Sequence, residues 1–259
     1  MGELTQIVTI GADFISRISI PAAQEAFLRV ARLSPEERQA EDAVSDARNR
    51  AEMRAMYRLT MIENSGLEGA MLDRRLSNLQ GDSPSQREAV NVAKAFVEAF
   101  PHVDGRGLAL WGEPGRRKSS IMAALVHAIL AEKKRQYNCR FIPCQEIDEV
   151  LKERDIWLDI ERADLVVFDD LEKAMDPPDS KYHTANDRII RGVINHADRS
   201  KRPVICITSN KSPEQHRMLG THWASRVVGL CHWVEVVGER DLREYEKKNG
   251  WWSGNEASQ

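Results

Sequence analysis

Short apolar runs alternate with helical patterns along most of the chain. Four runs are typical of strands: residues 107–111, 139–144, 165–168 and 204–208. The last two are almost continuously apolar, as in parallel strands that are buried on both faces. Between them, apolar residues recur at helical spacing, at Ile189, Ile190, Val193, Ile194 and Ala197. This alternation predicts an α/β fold in which helices flank a parallel sheet.

The first 64 residues have two stretches with helical patterns. Ser34 to Glu37 has the sequence of a capping box, and Pro35 stands at the first helical position. Alanines then recur every four residues up to Leu59, the spacing of one helix face. An earlier amphipathic stretch, residues 26–33, predicts a second helix, so we expect a helical hairpin whose apolar faces pack against something.

Punctuating residues divide the rest of the chain. Gly and Ser residues mark both ends of a stretch from 65 to 83, and Ser83 to Gln86 forms a second capping box. The tail is polar apart from two tryptophans. We therefore predict a small helical N-terminal domain, a linker, an α/β domain and a flexible tail, over residues 1–64, 65–83, 84–245 and 246–259.

Composition narrows the functional classes. The 259 residues carry 37 basic and 40 acidic side chains, a formal net charge of −3, so any contact with DNA requires a local basic patch. The four cysteines form no CxxC pair, which argues against structural zinc. No apolar stretch is long enough to span a bilayer, and the start lacks a signal-peptide pattern. We expect a cytoplasmic protein without membrane contacts.

A glycine-containing loop follows the first strand and leads into a helix, which is the context of a Walker A phosphate loop. Backbone N–H groups and the positive helix end would bind the phosphates of ATP. Lys118 would neutralise the β- and γ-phosphates, and the Ser119 hydroxyl would ligate Mg²⁺. The predicted nucleotide-binding residues are Gly112, Glu113, Pro114, Gly115, Arg116, Arg117, Lys118, Ser119 and Ser120.

Arg117 departs from the Walker A pattern, which has glycine before the lysine. Glycine suits that position because the loop curls tightly and approaches the phosphate closely. Either the arginine strains the curl, or its side chain swings outward and leaves the loop usable. A degenerate loop that binds nucleotide weakly or not at all is a third alternative.

Polar residues end two of the apolar strands. Asp169 and Asp170 follow residues 165–168 and fit a Walker B motif, in which Asp169 would hold Mg²⁺ with Ser119. Asp170 would polarise the attacking water, although this place usually holds Glu. Asn210 follows residues 204–208 and would hydrogen-bond either the attacking water or the γ-phosphate. Taken alone, the acidic strand end is a weak signal that also fits a solvated strand end, and the end at Asn210 favours a simple turn.

Together these motifs resemble the DnaC/IstB family of AAA+ ATPases, and DnaC-type replicative helicase loaders in particular. The resemblance covers most of residues 84–245 and rests on GEPGRRKS, LVVFDDLEK, DSKYHTANDRII, KRPVICITSN, ASRVV and GERDLR. It implies a AAA+ fold in which the strand before Asn210 lies between the two Walker strands. It also implies ATP and Mg²⁺ as cofactors.

The resemblance assigns further residues. Ser180, Lys181 and Tyr182 become candidates for contact with single-stranded DNA, and their chemistry suits phosphate binding and base stacking. Arg226 is the best candidate for an arginine that reaches the ATP of a neighbouring subunit, with Arg217 as a competitor, although such an arginine is more often a solvated surface residue. Arg240 and Arg243, which follow a fifth strand-like run over 233–237, become sensor-2-like candidates.

The sequence thus predicts a helicase loader with weak ATPase activity. Such a protein would bind a replicative helicase through its N-terminal helices, bind single-stranded DNA and self-associate into a ring or spiral. One alternative is an IstB-like regulator of DNA transposition, which has the same ATPase and acts on duplex DNA and a transposase. Another is a non-hydrolysing adaptor with a degenerate Walker A loop, motivated by Arg117.

Overall fold

The computed structural model describes residues 33–101, 106–132, 136–147, 159–175, 183–218 and 222–238. The chain divides into two compact units, residues 1–56 and 57–259, and the boundary falls inside helix α1 (Pro35–Glu63). The domain boundaries predicted from the sequence, at residues 64 and 84, stay predictions.

Helix α1 begins with the predicted capping box. The Glu37 N–H donates to Ser34 Oγ at 3.2 Å, and the Ser34 N–H donates to the Glu37 carboxylate at 2.7 Å. No residue of α1 is buried, so its alanine spacing does not mark a buried face in the described structure. The preceding predicted helix, residues 26–33, lies outside the described residues except for Leu33.

The second unit is built on a five-stranded parallel sheet in the order β2-β3-β4-β1-β5. Its strands are β1 (Gly107–Trp111), β2 (Cys139–Pro143), β3 (Leu165–Asp169), β4 (Val204–Ser209) and β5 (Cys231–Glu235). The predicted strands are confirmed to within two residues at each end. β4 lies between β1 and β3, as the resemblance implied.

Helices cover both faces of this sheet, which confirms the predicted α/β class. They are α2 (Pro84–Ala99), α3 (Lys118–Glu132), α4 (His183–Ser200), α5 (Pro213–Met218) and α6 (His222–Leu230). Short 3₁₀ turns over Gly69–Met71, Cys144–Glu146 and Leu171–Met175 complete the described elements. α2 begins with its predicted capping box, in which Ser83 accepts from the Gln86 N–H and Gln86 accepts from the backbone of Ser83.

Alternate residues of each strand belong to two separate apolar clusters. In β1, Leu108 and Leu110 pack with α2 and α3 on one face, whereas Ala109 packs with the other cluster. α4 supplies Ile190, Val193, Ile194 and Ala197 to that second cluster, all 2% exposed or less. Burial of one such branched side chain stabilises the fold by about 1.5–3 kcal/mol. The helical spacing in the sequence therefore marks the face of α4 that packs in the core.

The stretch predicted as a linker, residues 65–83, is part of the core. Leu67, Leu76 and Leu79 are buried in the cluster that contains α2 and α3. The same stretch covers the edge of the sheet, because the Phe141 N–H of β2 donates to the Ser65 carbonyl at 2.6 Å. Gly and Ser signals mark where regular elements end, but a segment between two elements can still bury leucines.

Among the described residues, no helix has the length and apolar character needed to cross a membrane.

Candidate nucleotide site

The loop between β1 and α3 has the curled backbone that phosphate binding requires. Gly112 and Gly115 have positive φ angles of 141° and 77°, a region that side chains rarely adopt. A Cβ atom at Gly112 would lie 2.4 Å from the Val236 carbonyl oxygen, so only glycine fits there. α3 begins at Lys118, and its first N–H groups therefore face the loop.

Arg117 adopts a left-handed conformation, with a φ of 63°, a region that favours the glycine of the Walker A pattern. Its side chain leaves the loop: Nη1 donates to the Gln80 carbonyl at 3.1 Å, and Nη2 lies 3.9 Å from the Asp82 carboxylate. Of the alternatives that the sequence left open, the structure adopts the outward-swung arginine. The curl is retained at a strain of about 1 kcal/mol.

Lys118 lies at the centre of the loop and is 5% exposed. Its ammonium donates to the carbonyl oxygens of Gly112 and Glu113 at 2.7 and 2.8 Å, and to Asn210 Oδ1 at 2.8 Å. The loop lysine and the polar end of β4 are therefore in direct contact. This arrangement puts a positive charge where the sequence predicts the terminal phosphates.

The two residues predicted to hold Mg²⁺ meet at the end of β3. The Ser119 hydroxyl hydrogen-bonds the Asp169 carboxylate, and Thr208 Oγ1 donates to Asp169 Oδ1 at 2.5 Å. Burial raises the pKa of Asp169, against the lowering effect of these hydrogen bonds. A cation would compensate such a desolvated carboxylate, so the donor set fits Mg²⁺.

No group of three or more His, Cys, Asp or Glu side chains suited to a metal occurs within the described ranges. Mg²⁺ bound with ATP does not need such a group, since it takes one or two protein oxygens together with phosphate oxygens and water.

Asp170 follows Asp169 in a left-handed conformation, with a φ of 52°. Its N–H donates to Thr208 Oγ1 at 2.8 Å, and its carboxylate lies 2.9 Å from Lys173 Nζ. The carboxylate is therefore paired with a lysine of the following 3₁₀ turn. Its predicted role toward the attacking water stays a prediction.

Three residues beside Asn210 were not singled out from the sequence. Asn210 Nδ2 donates to Glu172 Oε1, Ser209 Oγ donates to Glu172 Oε2 at 3.0 Å, and Ser209 Oγ lies 2.7 Å from His216 Nε2. Glu172 stands only two residues after the paired aspartates, which was an available signal. Ser209 and His216 gave none, because their contacts depend on how α5 packs under the end of β4.

The other predicted loop residues differ in their exposure. Glu113 and Pro114 are exposed, and Ser120 is half-buried in the first turn of α3. Arg116 pairs with Glu113 at 2.5 Å.

The candidate arginines are only partly covered by the structure. Arg226 is exposed on α6 and donates to Asn195 Oδ1 of α4, while Arg217 is exposed on α5. Arg240 and Arg243 lie outside the described residues, as do the candidate DNA contacts Ser180, Lys181 and Tyr182. The structure brings Lys118, Ser119, Asp169 and Asn210 together, and the roles of all the candidates stay predictions.

Several solved structures share this fold. The DnaC helicase loader matches with a TM-score of 0.55 at 18% identity, over 66% of this chain and 100% of that one. DnaI matches with a TM-score of 0.55 at 18% identity, over 68% of this chain and 94% of that one. AMPPCP-bound DnaA from Aquifex aeolicus has a TM-score of 0.50 at 20% identity, and the match covers 71% of this chain and 56% of DnaA.

No protein-family model matches the sequence, and a search of curated proteins found no match. The structural likeness, at these identities, shows the fold. The sheet order and the phosphate loop are those of an α/β P-loop fold. Within that class, it is the fold that DnaC, DnaI and DnaA share, which confirms at the level of fold the resemblance to DnaC-type proteins.

Proposed function

We propose that this protein binds ATP with Mg²⁺ at the loop between β1 and α3, and hydrolyses it slowly. One observation carries the proposal: the Lys118 ammonium contacts Asn210 at the same edge of the sheet where Ser119 contacts Asp169. ATP hydrolysis needs a positive charge at the phosphates, a bound metal ion and an oriented water molecule. Lys118 is available for the first, Ser119 with Asp169 for the second, and Asn210 for the third.

The chemistry follows from the positions of these groups. Lys118 neutralises the β- and γ-phosphates, and the N–H groups at the start of α3 bind them. Ser119 and Asp169 would hold Mg²⁺, which would supply charge stabilisation as the γ-phosphoryl group is transferred to water. Arg226 of a neighbouring copy would add positive charge to the transition state, as the resemblance implies.

The outward position of Arg117 supports a working loop over a degenerate one. A degenerate loop requires that the arginine open the curl or fill the phosphate position. Its backbone instead keeps the glycine-like φ, and its guanidinium binds Gln80 outside the loop. For this reason we prefer an ATP-binding protein to a non-hydrolysing adaptor.

The biological role that we propose is loading of a replicative helicase during the initiation of DNA replication. The shared fold with the DnaC helicase loader supports it, and a DnaA structure with AMPPCP and single-stranded DNA matches with a TM-score of 0.51. The N-terminal residues would bind the helicase. Ser180, Lys181 and Tyr182 would contact single-stranded DNA in a ring or spiral of subunits.

A nucleotide titration tests the ATP site. A fluorescent ATP analogue with Mg²⁺ should bind the full chain with a dissociation constant in the low micromolar range, about 8 kcal/mol of binding free energy. Lys118→Ala should weaken binding at least about tenfold, because the central charge at the phosphates is lost. Lys94→Ala, which removes an exposed lysine of α2, is the matched control and should bind as the wild type. Absence of binding by the wild type would contradict the proposal and favour an adaptor.

A partner test addresses the role. The full chain should co-purify with a replicative helicase, and the second unit alone, residues 57–259, should not. Capture of a transposase instead, together with preference for duplex over single-stranded DNA, would favour the transposition regulator.

A further inference from the structure

A chain of hydrogen bonds leads from the phosphate loop into the protein through Asn210. Lys118 Nζ donates to Asn210 Oδ1 at 2.8 Å, and Asn210 Nδ2 donates to Glu172 Oε1. Asn210 thus bridges the loop lysine and a carboxylate of the 3₁₀ turn after β3. Nothing in the proposed ATP chemistry so far uses that carboxylate.

The two neighbours of Asn210 fix which way its amide points. An ammonium group can only donate a hydrogen bond, and an ionised carboxylate can only accept one. The amide oxygen therefore faces Lys118 and the NH₂ group faces Glu172. A reversed amide would place two donors together on one side and two acceptors on the other.

Glu172 is itself held in place by buried groups. Its second oxygen accepts a hydrogen bond from Ser209 Oγ at 3.0 Å, and Ser209 is fully buried. Because the Ser209 proton points at Glu172, Ser209 Oγ is left as an acceptor. It accepts from the Lys211 N–H at 3.0 Å and from Nε2–H of the buried His216 at 2.7 Å. The carboxylate has little freedom to move away from Asn210.

The carboxylate that accepts from the Asn210 amide belongs to Glu172 and not to Asp170, which precedes it by only two residues. Asp170 has its carboxylate paired with Lys173 at 2.9 Å and its N–H bound to Thr208. The described contacts therefore link Glu172, and not Asp170, to the amide next to the loop lysine.

We propose that Glu172 is a positioning residue that holds the Asn210 amide oxygen toward the terminal phosphate, where it accepts a hydrogen bond from the attacking water. Of the two roles that the sequence left open for Asn210, this is the contact with the attacking water: one N–H of its amide is taken by Glu172, and its oxygen keeps a second lone pair beside Lys118. The inference rests on the proposed ATP site. An acceptor at this place aligns the water by one O–H and leaves an oxygen lone pair free to point at phosphorus.

The test compares ATP hydrolysis with ATP binding in the wild type and in variants of the full chain. Glu172→Ala should lower kcat about tenfold, while the dissociation constant for ATP changes less than about threefold, since only the transition state needs the fixed amide. Glu172→Gln should recover much of this loss, because its amide oxygen can still accept from Asn210. Glu88→Ala removes an exposed carboxylate of α2 and should leave kcat unchanged.

A double-mutant cycle separates positioning from direct chemistry. Asn210→Ala should lower kcat at least as much as Glu172→Ala, and the double variant should be no slower than Asn210→Ala. A further loss in the double variant would mean that Glu172 acts on the water independently, and would overturn the proposal.

Three other outcomes would also overturn it. The first is a wild-type kcat in Glu172→Ala. The second is a loss of ATP binding and of thermal stability in that variant, which would mean that Glu172 stabilises the fold and does not act by positioning Asn210. The third is a wild-type protein that binds ATP without hydrolysing it. That result would support the ATP site and contradict only the inferred contact between Asn210 and the attacking water. Failure of the wild type to bind ATP would remove the proposed function and the inference together.

Discussion

Lys118 Nζ donates a hydrogen bond to Asn210 Oδ1 across 2.8 Å, although the two residues are 92 positions apart in the chain. The contact exists because β1 and β4 are parallel neighbours, so that both of their carboxyl ends reach the same edge of the sheet. Loops at that edge of an open α/β sheet are the usual place for ligand binding. The following predictions test the site and the fold that produces it.

The conformation of Arg117 predicts an order of stability between two substitutions. Arg117→Ala keeps the left-handed strain and loses the contact with Gln80, whereas Arg117→Gly loses the same contact but removes the strain. We expect the glycine variant to be more stable by about 1 kcal/mol, as measured by urea unfolding. The glycine variant should also bind ATP at least as tightly as the wild type. A large drop in its affinity would mean that the arginine itself binds nucleotide.

The segment that covers the edge of β2 depends on Gly66. Its φ is 80°, and a Cβ atom there would lie 2.4 Å from the Phe141 carbonyl oxygen. Gly66→Ala should therefore cost about 3 kcal/mol of unfolding free energy through strain and overpacking together. Gly69→Ala is the control, because Gly69 has a φ of 51° and open space around the Cβ position. It should cost about 1 kcal/mol. Equal costs would show that the close approach to β2 contributes nothing.

We expect the Asp169 carboxylate to bind Mg²⁺ but to lower the stability of the nucleotide-free protein. Burial raises its pKa in the folded protein, so the folded state binds the proton more readily than the unfolded state, and ionisation at neutral pH costs stability. Asp169→Asn should therefore raise the Tm of the nucleotide-free protein by a few degrees. It should also reduce Mg²⁺-dependent ATP hydrolysis about a hundredfold, because the metal loses a charged ligand. Asp73→Asn, at an exposed position, should change neither quantity.

His216 should contribute to the acid sensitivity of the fold. Burial, with a smaller effect of the Lys211 charge, lowers its pKa from 6.5 to about 4. Between those values the unfolded chain binds a proton that the folded chain does not, so stability falls as the pH falls from about 6.5 toward 4. Over that range, wild-type protein should lose about 2 kcal/mol more than His216→Gln.

Urea unfolding at a series of pH values measures this difference. The comparison isolates His216, because the other acid-sensitive groups, including the buried His127, are present in both proteins. Parallel pH profiles for the two proteins would exclude the contribution of His216.

The sequence by itself determined the elements whose signals are local. Such elements are strands β1 to β4, both capping boxes, the phosphate loop and the carboxylates at the end of β3. Each depends on residues within a few positions of one another. Their patterns reflect burial, turn geometry and charge at a single element. For the same reason, the sequence flagged Arg117 as a departure but left its direction open, because the groups that it binds, Gln80 and Asp82, lie more than 30 positions away.

Only the tertiary structure decided which groups meet. The packing of residues 65–83 into the core, the contact of Lys118 with Asn210 and the contacts of Glu172 with Ser209 and Asn210 follow from how separate elements are placed in space. Hydrogen bonds that span dozens of residues leave no periodic trace in the chain. The sequence therefore fixes the chemistry available at the edge of the sheet, and the packing of β3, β4 and α5 decides how that chemistry is arranged.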